Sequence, residues 1–278
     1  MYIVKICAMA VFVATALVGC KHSPSLKDKK RAESIYAVAL TYVHEAQRNG
    51  VSGQLDAQDL KYRQAIKELL AASELDPENP DVHYLLAVVY FTGFKKHAEA
   101  EKHLRTAIDL RDGNYPEADH LLGTVLVDAG RPKDAIPFLQ RARTNLLYAT
   151  PYFAEQELGW AKHKLGQHKE AALHFEKALL AQPDLCGTYT RLADVYEADN
   201  NHAAALKVLE KFLAHCDSDR LRDKTGDQLL AYGYYRYGMN LAKAGQPKKA
   251  KESLAICAER FKAQYVSFEC HQAKNLIR

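Results

Sequence analysis

Twelve histidines and six cysteines carry most of the chemical potential of this 278-residue sequence. The histidines suggest metal binding only until their spacing is read. His163 and His168 stand five apart around Gly166, His97 and His103 stand six apart, and His44-Glu45 lacks the second histidine of an HExxH helix. A zinc site needs ligands on one helix face with a third partner in reach; no histidine pair offers that, and no CxxC occurs. Solvated or groove-lining histidines are the better reading. GxSxG, the P-loop and the glycine-rich dinucleotide fingerprint are absent, and the carboxylates are scattered as on solvated helix faces. No catalytic, metal-binding or cofactor-binding residues emerge, so the expectation is a protein that is not an enzyme and needs no cofactor.

The cysteines, at 7, 20, 186, 216, 257 and 270, depend for their meaning on compartment. Residues 1–20 read MYIVKICAMAVFVATALVGC, with Lys5 ahead of an apolar run from Ile6 to Val18 and no acidic residue before Asp28. The run is too short for a bilayer core about 30 Å thick, which takes roughly 20 apolar residues. It has the charged start, apolar centre and small-residue end of a secretory signal. Its end, Leu17-Val18-Gly19-Cys20, resembles the bacterial lipobox. That resemblance implies a lipoprotein signal peptide over residues 1–19, cleavage before Cys20, thioether lipidation of Cys20 and acylation of its new amino group. Several acyl chains on one residue anchor a protein stably. Lys21, where an Asp would favour inner-membrane retention, implies a lipid-anchored, periplasm-facing protein of the Gram-negative outer membrane. Residues 20–30 hold the lipidated Cys20 and a short tether, of which Lys21 to Lys30 reach at most about 33 Å at ~3.3 Å per residue. Cys7 leaves with the signal and Cys20 carries lipid, leaving four cysteines in an oxidising envelope that favours disulfides.

Composition bounds the elements that must position these residues. Glycine (14) and proline (9) together make about 8% of the chain, below the roughly 12% of ordinary globular proteins. Alanine (41) and leucine (34) are abundant and both form helices well. A sandwich or barrel would need more turn residues, so the fold class is all-α. The net charge of +4, from 38 basic and 34 acidic residues, is too balanced for a nucleic-acid binder.

Self-similarity gives the architecture. In ELGWAKHKLGQHKEAALHFEKALLAQP, Leu158-Gly159 lie on a first helix and Gly166 at a turn. Ala171, Phe175 and Ala178 follow on a second helix that Pro183 ends. This is the tetratricopeptide (TPR) pattern, in which small residues let two antiparallel helices approach closely. The equivalent alanines at 65, 100, 135, 171, 205 and 250 are separated by 35, 35, 36, 34 and 45 residues. The expectation is a right-handed superhelical solenoid of about six helix pairs over residues 31–278. It includes a charged insertion loop at about 217–227, read as the likeliest hinge, a further interruption at 49–58 and a capping helix at about 263–276.

A TPR array binds through the concave face lined by its first helices. The frame places Tyr84, Val88 and Phe91 there from the second unit, His120, Thr124 and Val127 from the third, and Phe153, Gln156 and Trp160 from the fourth. Thr190, Asp194 and Glu197 follow from the fifth, and Tyr232, Tyr235 and Met239 from the sixth. Aromatic anchors often dominate protein recognition, so these residues form a candidate protein-binding groove; the alternative is that some pack against the next helix. Cys186 opens the first helix of the fifth unit and Cys216 closes the second, which antiparallel packing brings together. That leaves Cys257 with Cys270 on the cap, the alternative being free buried thiols.

A lipobox followed by six TPR units resembles the pilotin lipoproteins of type IV pilus biogenesis, the PilF/PilW/Tgl-like family. The segment most similar to that family is Leu147-Tyr148-Ala149-Thr150-Pro151 leading into the Leu158-Gly159 helix, without the usual intervening residue. The paired cysteines are closer to the Tgl-like branch. The resemblance implies a periplasm-facing scaffold or chaperone whose protein partner is the outer-membrane secretin, helped to its membrane and into its multimeric ring. A TPR lipoprotein that scaffolds peptidoglycan enzymes is the other reading.

Overall fold

The computed structural model describes residues 23–277; Cys20, the segment 1–19 and the start of the tether lie outside them. Among the described residues all regular structure is helical. Six antiparallel pairs follow one another: α1 (Leu26–Val51) with α2 (Leu55–Leu75), α3 (Pro80–Phe94) with α4 (His97–Asp109), and α5 (Pro116–Asp128) with α6 (Pro132–Thr144). Then come α7 (Pro151–Lys164) with α8 (His168–Ala181) and α9 (Cys186–Ala198) with α10 (His202–Cys216). After the short α11 (Arg222–Thr225), α12 (Asp227–Lys243) pairs with α13 (Pro247–Arg260), and α14 (Val266–Leu276) closes the array. Each helix packs on its sequence neighbours. The first helices α1, α3, α5, α7 and α9 also touch in succession, whereas α2, α4, α6 and α8 make no comparable contact with one another. The array therefore curves with its first helices inside. None of these helices is long and apolar enough to cross a membrane.

The periodic residues explain why the pairs form. The alanines at 65, 100, 135, 171, 205 and 250, and the residues four and seven positions after each, are completely buried. Spacings of four and three keep them on one helix face, the face that meets the first helix. Opposite them sits a small residue. A Cβ on Gly123 would overlap the Leu139 side chain, and one on Gly238 would lie 2.7 Å from Leu254 Cγ. Between the two helices, Gly130, Gly166 and Gly245 turn the chain with φ of 77°, 73° and 72°. Asn200 (56°) and Lys95 (52°) take the same left-handed conformation in the fifth and second units. Pro80, Pro116, Pro132, Pro151 and Pro247 sit in first turns, where the missing N–H has no helical acceptor to lose.

Two interruptions in the repeat frame take shapes other than those expected. The extra residues at 49–58 mostly lengthen helices: α1 has 26 residues and α2 has 21, joined by a turn through Gly53. The insertion at 217–227 is folded onto the array rather than standing free as a loop. Leu221 is buried there, and the Asp217 carboxylate accepts bonds from Arg260 Nη1 and Nη2 (both 2.6 Å), Tyr234 Oη (2.8 Å) and Arg222 Nε (2.9 Å). Tyr234 and Arg260 tie the insertion to α12 and α13, while Arg222 closes it on itself. Cys186 is bonded to Cys216 and Cys257 to Cys270, with Cα separations of 5.8 and 6.0 Å, inside the range disulfides occupy.

Gly123→Val should lower stability by about 1–3 kcal/mol through overpacking against Leu139, read as a lower urea midpoint. Asp217 predicts an acid dependence. Burial raises its carboxyl, but the bonds from Arg260, Tyr234 and Arg222 outweigh burial and hold it below the usual carboxylate range. Such a group contributes stability above its unfolded pKa and loses it as pH falls through the lower folded value. The C-terminal units should therefore loosen below about pH 4, and Asp217→Asn should flatten that loss in hydrogen exchange of α12 and α13.

Candidate protein-binding face

The first helices and the connections before them bring aromatic rings together across the second, third and fourth units. Tyr115 precedes α5 and is fixed by donating to Asp81 Oδ1 (2.8 Å), which also accepts from Arg111 Nη2 (2.9 Å). Its ring lies 5.4 Å from that of Tyr84 on α3. His120 on α5 lies between Tyr148, at 6.0 Å, and Phe153, stacked at 6.1 Å, and Tyr152 abuts Phe153 at 4.8 Å. Tyr148 is buried in the connection between α6 and α7, whereas Phe153 is 36% exposed. Burial pushes the Tyr84 hydroxyl up to about 12, with Tyr148 and Glu117 adding to the shift, and pushes the His120 imidazole down. At neutral pH the stripe therefore consists of uncharged rings.

Beyond Phe153 the face becomes ionic. Gln156 Oε1 accepts from Thr188 Oγ1 (2.5 Å) and Gln156 Nε2 donates to Glu157 Oε1 (3.0 Å). Arg191 pairs with Glu157 at 2.8 Å and lies over the Trp160 ring at 5.1 Å, with Lys164 at 4.5 Å from that ring. His163 stacks on Trp160 at 5.1 Å. Arg236 on α12 bridges Asp194 and Glu197 of α9, the latter at 2.6 Å, and also contacts the Tyr232 hydroxyl. Burial works against the Arg236 cation, but the two carboxylates more than offset it and keep it charged.

The structure separates the groove residues named from the repeat frame. Tyr84, Val88, His120, Thr124, Gln156, Trp160, Asp194, Glu197, Tyr232, Tyr235 and Met239 are half-buried on first helices, and Phe153 is exposed. Phe91, Val127 and Thr190 are instead buried and offer little surface. Phe91 is covered by the His97 ring and the Lys95 ammonium, which sit 5.8 and 4.7 Å from its centroid. The repeat frame assigns no groove role to Tyr115, Tyr148 and Tyr152, which lie at or before the starts of first helices, or to Glu157, Arg191 and Arg236, one position after each groove residue at 156, 190 and 235. A carboxylate one repeat away from an arginine at those positions was the available signal. Among the described residues, no three side chains converge as metal ligands do.

The TPR repeat profile matches residues 60–93 and the tetratricopeptide repeat profile matches residues 156–185. The chain has the tetratricopeptide-repeat fold. Among solved structures, PilW, described as a widely conserved type IV pilus biogenesis factor, superposes with a TM-score of 0.68 at 21% identity, covering 84% of this chain and 97% of PilW. PilF of Pseudomonas aeruginosa gives 0.65 at 18% identity, covering 89% and 99%. A chain of the APC/C hetero-tetramer Cut9–Hcn1 gives 0.59 at 17% identity, but only 47% of that longer chain is covered against 90% of this one. No curated protein matches the sequence.

Arg236→Ala should cost about 3 kcal/mol or more, because it leaves Asp194 and Glu197 facing each other without their cation. Phe153→Ala should cost no more than about 1 kcal/mol. Thermal melts of the two variants beside the unsubstituted chain check both.

Proposed function

We propose that this TPR solenoid is an outer-membrane lipoprotein, anchored through Cys20, whose concave face binds a protein partner in type IV pilus biogenesis. The partner we infer is the pilus secretin, which the protein would localise and bring into its multimer, acting by binding rather than by catalysis. The observation that carries this reading is one of extent. PilW and PilF are covered over 97% and 99% of their lengths, so the likeness takes in their whole array rather than a few shared repeats. The lipobox Leu17-Val18-Gly19-Cys20 supplies the tether. The ring stripe from Tyr84 to Phe153 supplies apolar anchors of the kind that dominate protein recognition.

Replacing Cys20 with Ser should misplace the protein and reduce secretin multimers on immunoblots of envelopes. Phe153→Ala and Trp160→Ala should weaken capture of the secretin while the melting curve stays close to that of the parent. Normal multimers and normal piliation in the Cys20→Ser strain would count against the reading.

A further inference from the structure

The array opens on uncompensated charge. Lys27, Lys29, Lys30 and Arg31 fall at the very start of α1, and all four side chains are exposed. None has a carboxylate partner among the described residues, where α1 makes its ion pair toward its other end, Glu45 with Lys61 at 2.7 Å. Glu33, just beyond the cluster, is exposed and pairs with none of them. The first turn of a helix carries partial positive charge, so carboxylates stabilise it and cations oppose it. Asp28 obeys that rule, closing a capping box in which Ser25 N donates to Asp28 Oδ2 (3.3 Å) and Asp28 N to Ser25 Oγ (3.2 Å). The four cations around it break the rule, and nothing among the described residues offsets them.

Their position indicates the missing anion. Leu26 follows Cys20 by six residues, at most about 20 Å of extended chain, and Lys21 adds a further cation on the way. Leu26 itself is 71% exposed beside the cluster. Spacings of three and four put Lys27, Lys30 and Arg31 on one side of the helix, while Ala32 and Ala39 bury another. The rest of this edge of the array carries the opposite sign. The connections between units lie at the edge where the first helices begin. In those connections Glu78, Asp112 and Asp223 are exposed without an ion pair among the described residues, and the free cations Lys224 and Lys262 belong to the far, C-terminal end. Free positive charge near Cys20 is therefore confined to the start of α1.

We propose that the start of α1 is a membrane footing. Lys27, Lys29, Lys30 and Arg31, together with Lys21, bind the anionic phospholipid headgroups of the leaflet that holds the Cys20 lipid, and Leu26 enters the headgroup layer beside them. This rests on lipid anchoring at Cys20 and adds how the body stands on its anchor. Headgroup phosphates supply the anions that the first turn lacks. The carboxylates farther along the same edge are repelled by that surface, so the array rises from its first unit and keeps its concave face clear of the bilayer.

The test uses the mature chain carrying Cys20→Ser, so that no lipid is attached, in sedimentation with vesicles. Vesicles of phosphatidylcholine alone are compared with vesicles of equal parts phosphatidylcholine and phosphatidylglycerol. Binding should be confined to the mixed vesicles and should weaken as salt rises. Replacing Lys27, Lys29, Lys30 and Arg31 with Gln should lower partition by about 100-fold or more, each cation at an anionic surface being worth about five-fold. The same variant should melt no lower than its parent, because cations leave a helix N-terminus. Replacing four exposed lysines elsewhere, Lys133, Lys169, Lys248 and Lys249, changes the net charge equally and should leave partition nearly as it was. Equal partition onto the two vesicle types overturns the proposal without any variant, and so does an equal loss in the two charge-matched variants. Localisation in cells separates the footing from the anchor. If Cys20→Ser misplaces the protein while the vesicle test fails, the anchor stands and the footing falls. If the four residues bind mixed vesicles but Cys20→Ser stays in place, the footing stands and the lipid-anchor reading falls.

Discussion

In the third, fourth and sixth units the distance between the two helices is set by a glycine on the first and a large side chain sixteen positions later on the second. Gly123 meets Leu139, Gly159 meets Phe175 and Gly238 meets Leu254 in this way. Close approach buries the alanine-centred face of the second helix completely and leaves the opposite flank of the first helix uncovered. Because the first helices touch in succession, their remaining flanks line up on one side and curve inward. The concave face is thus a by-product of core packing, and the side chains on it are free to vary without disturbing the contact that makes the pair.

That freedom is used unevenly. The units from Tyr84 to Phe153 present uncharged rings, with Phe153 left open, while those from Gln156 to Arg236 present carboxylates and arginines that largely satisfy one another. Mutual pairing rigidifies the second stretch and lowers its demand for an external partner, since a paired and hydrogen-bonded charge has little left to offer. Rings in the first stretch are packed on one another and on the core instead, and the Tyr115 hydroxyl joins the second and third units through Asp81.

How much of this could be read from the sequence depends on the kind of residue. Ala171, Phe175 and Ala178 could be read because their spacing and size have one use, and the same spacing located their counterparts as far away as Ala250. Cys186–Cys216 could be read because antiparallel helices bring the first residue of a unit beside its last, and Cys257 with Cys270 is the pair that remains. Phe91 is buried because the turn that follows α3 lays Lys95 and the first α4 residue, His97, over its ring, contacts that the repeat frame does not specify. Tyr148 and Tyr115 were missed because the repeat frame assigns no role to connections, and their positions depend on contacts with neighbouring helices. Asp217 was unreadable for a different reason: its partner Arg260 lies 43 residues away on another helix pair, and a string of charges does not reveal which of them will meet.

Both disulfides lie between residues 186 and 270, in the last third of the array. A solenoid has two ends that lack a neighbour, and the two ends of this one are secured differently. The first unit relies on long helices, which need only their own packing. The last units add covalent bonds to the same helix packing, and their survival depends on the surroundings. A reducing compartment therefore removes cross-links from one end of the array only, leaving residues 186–270 to packing and the Asp217 bonds.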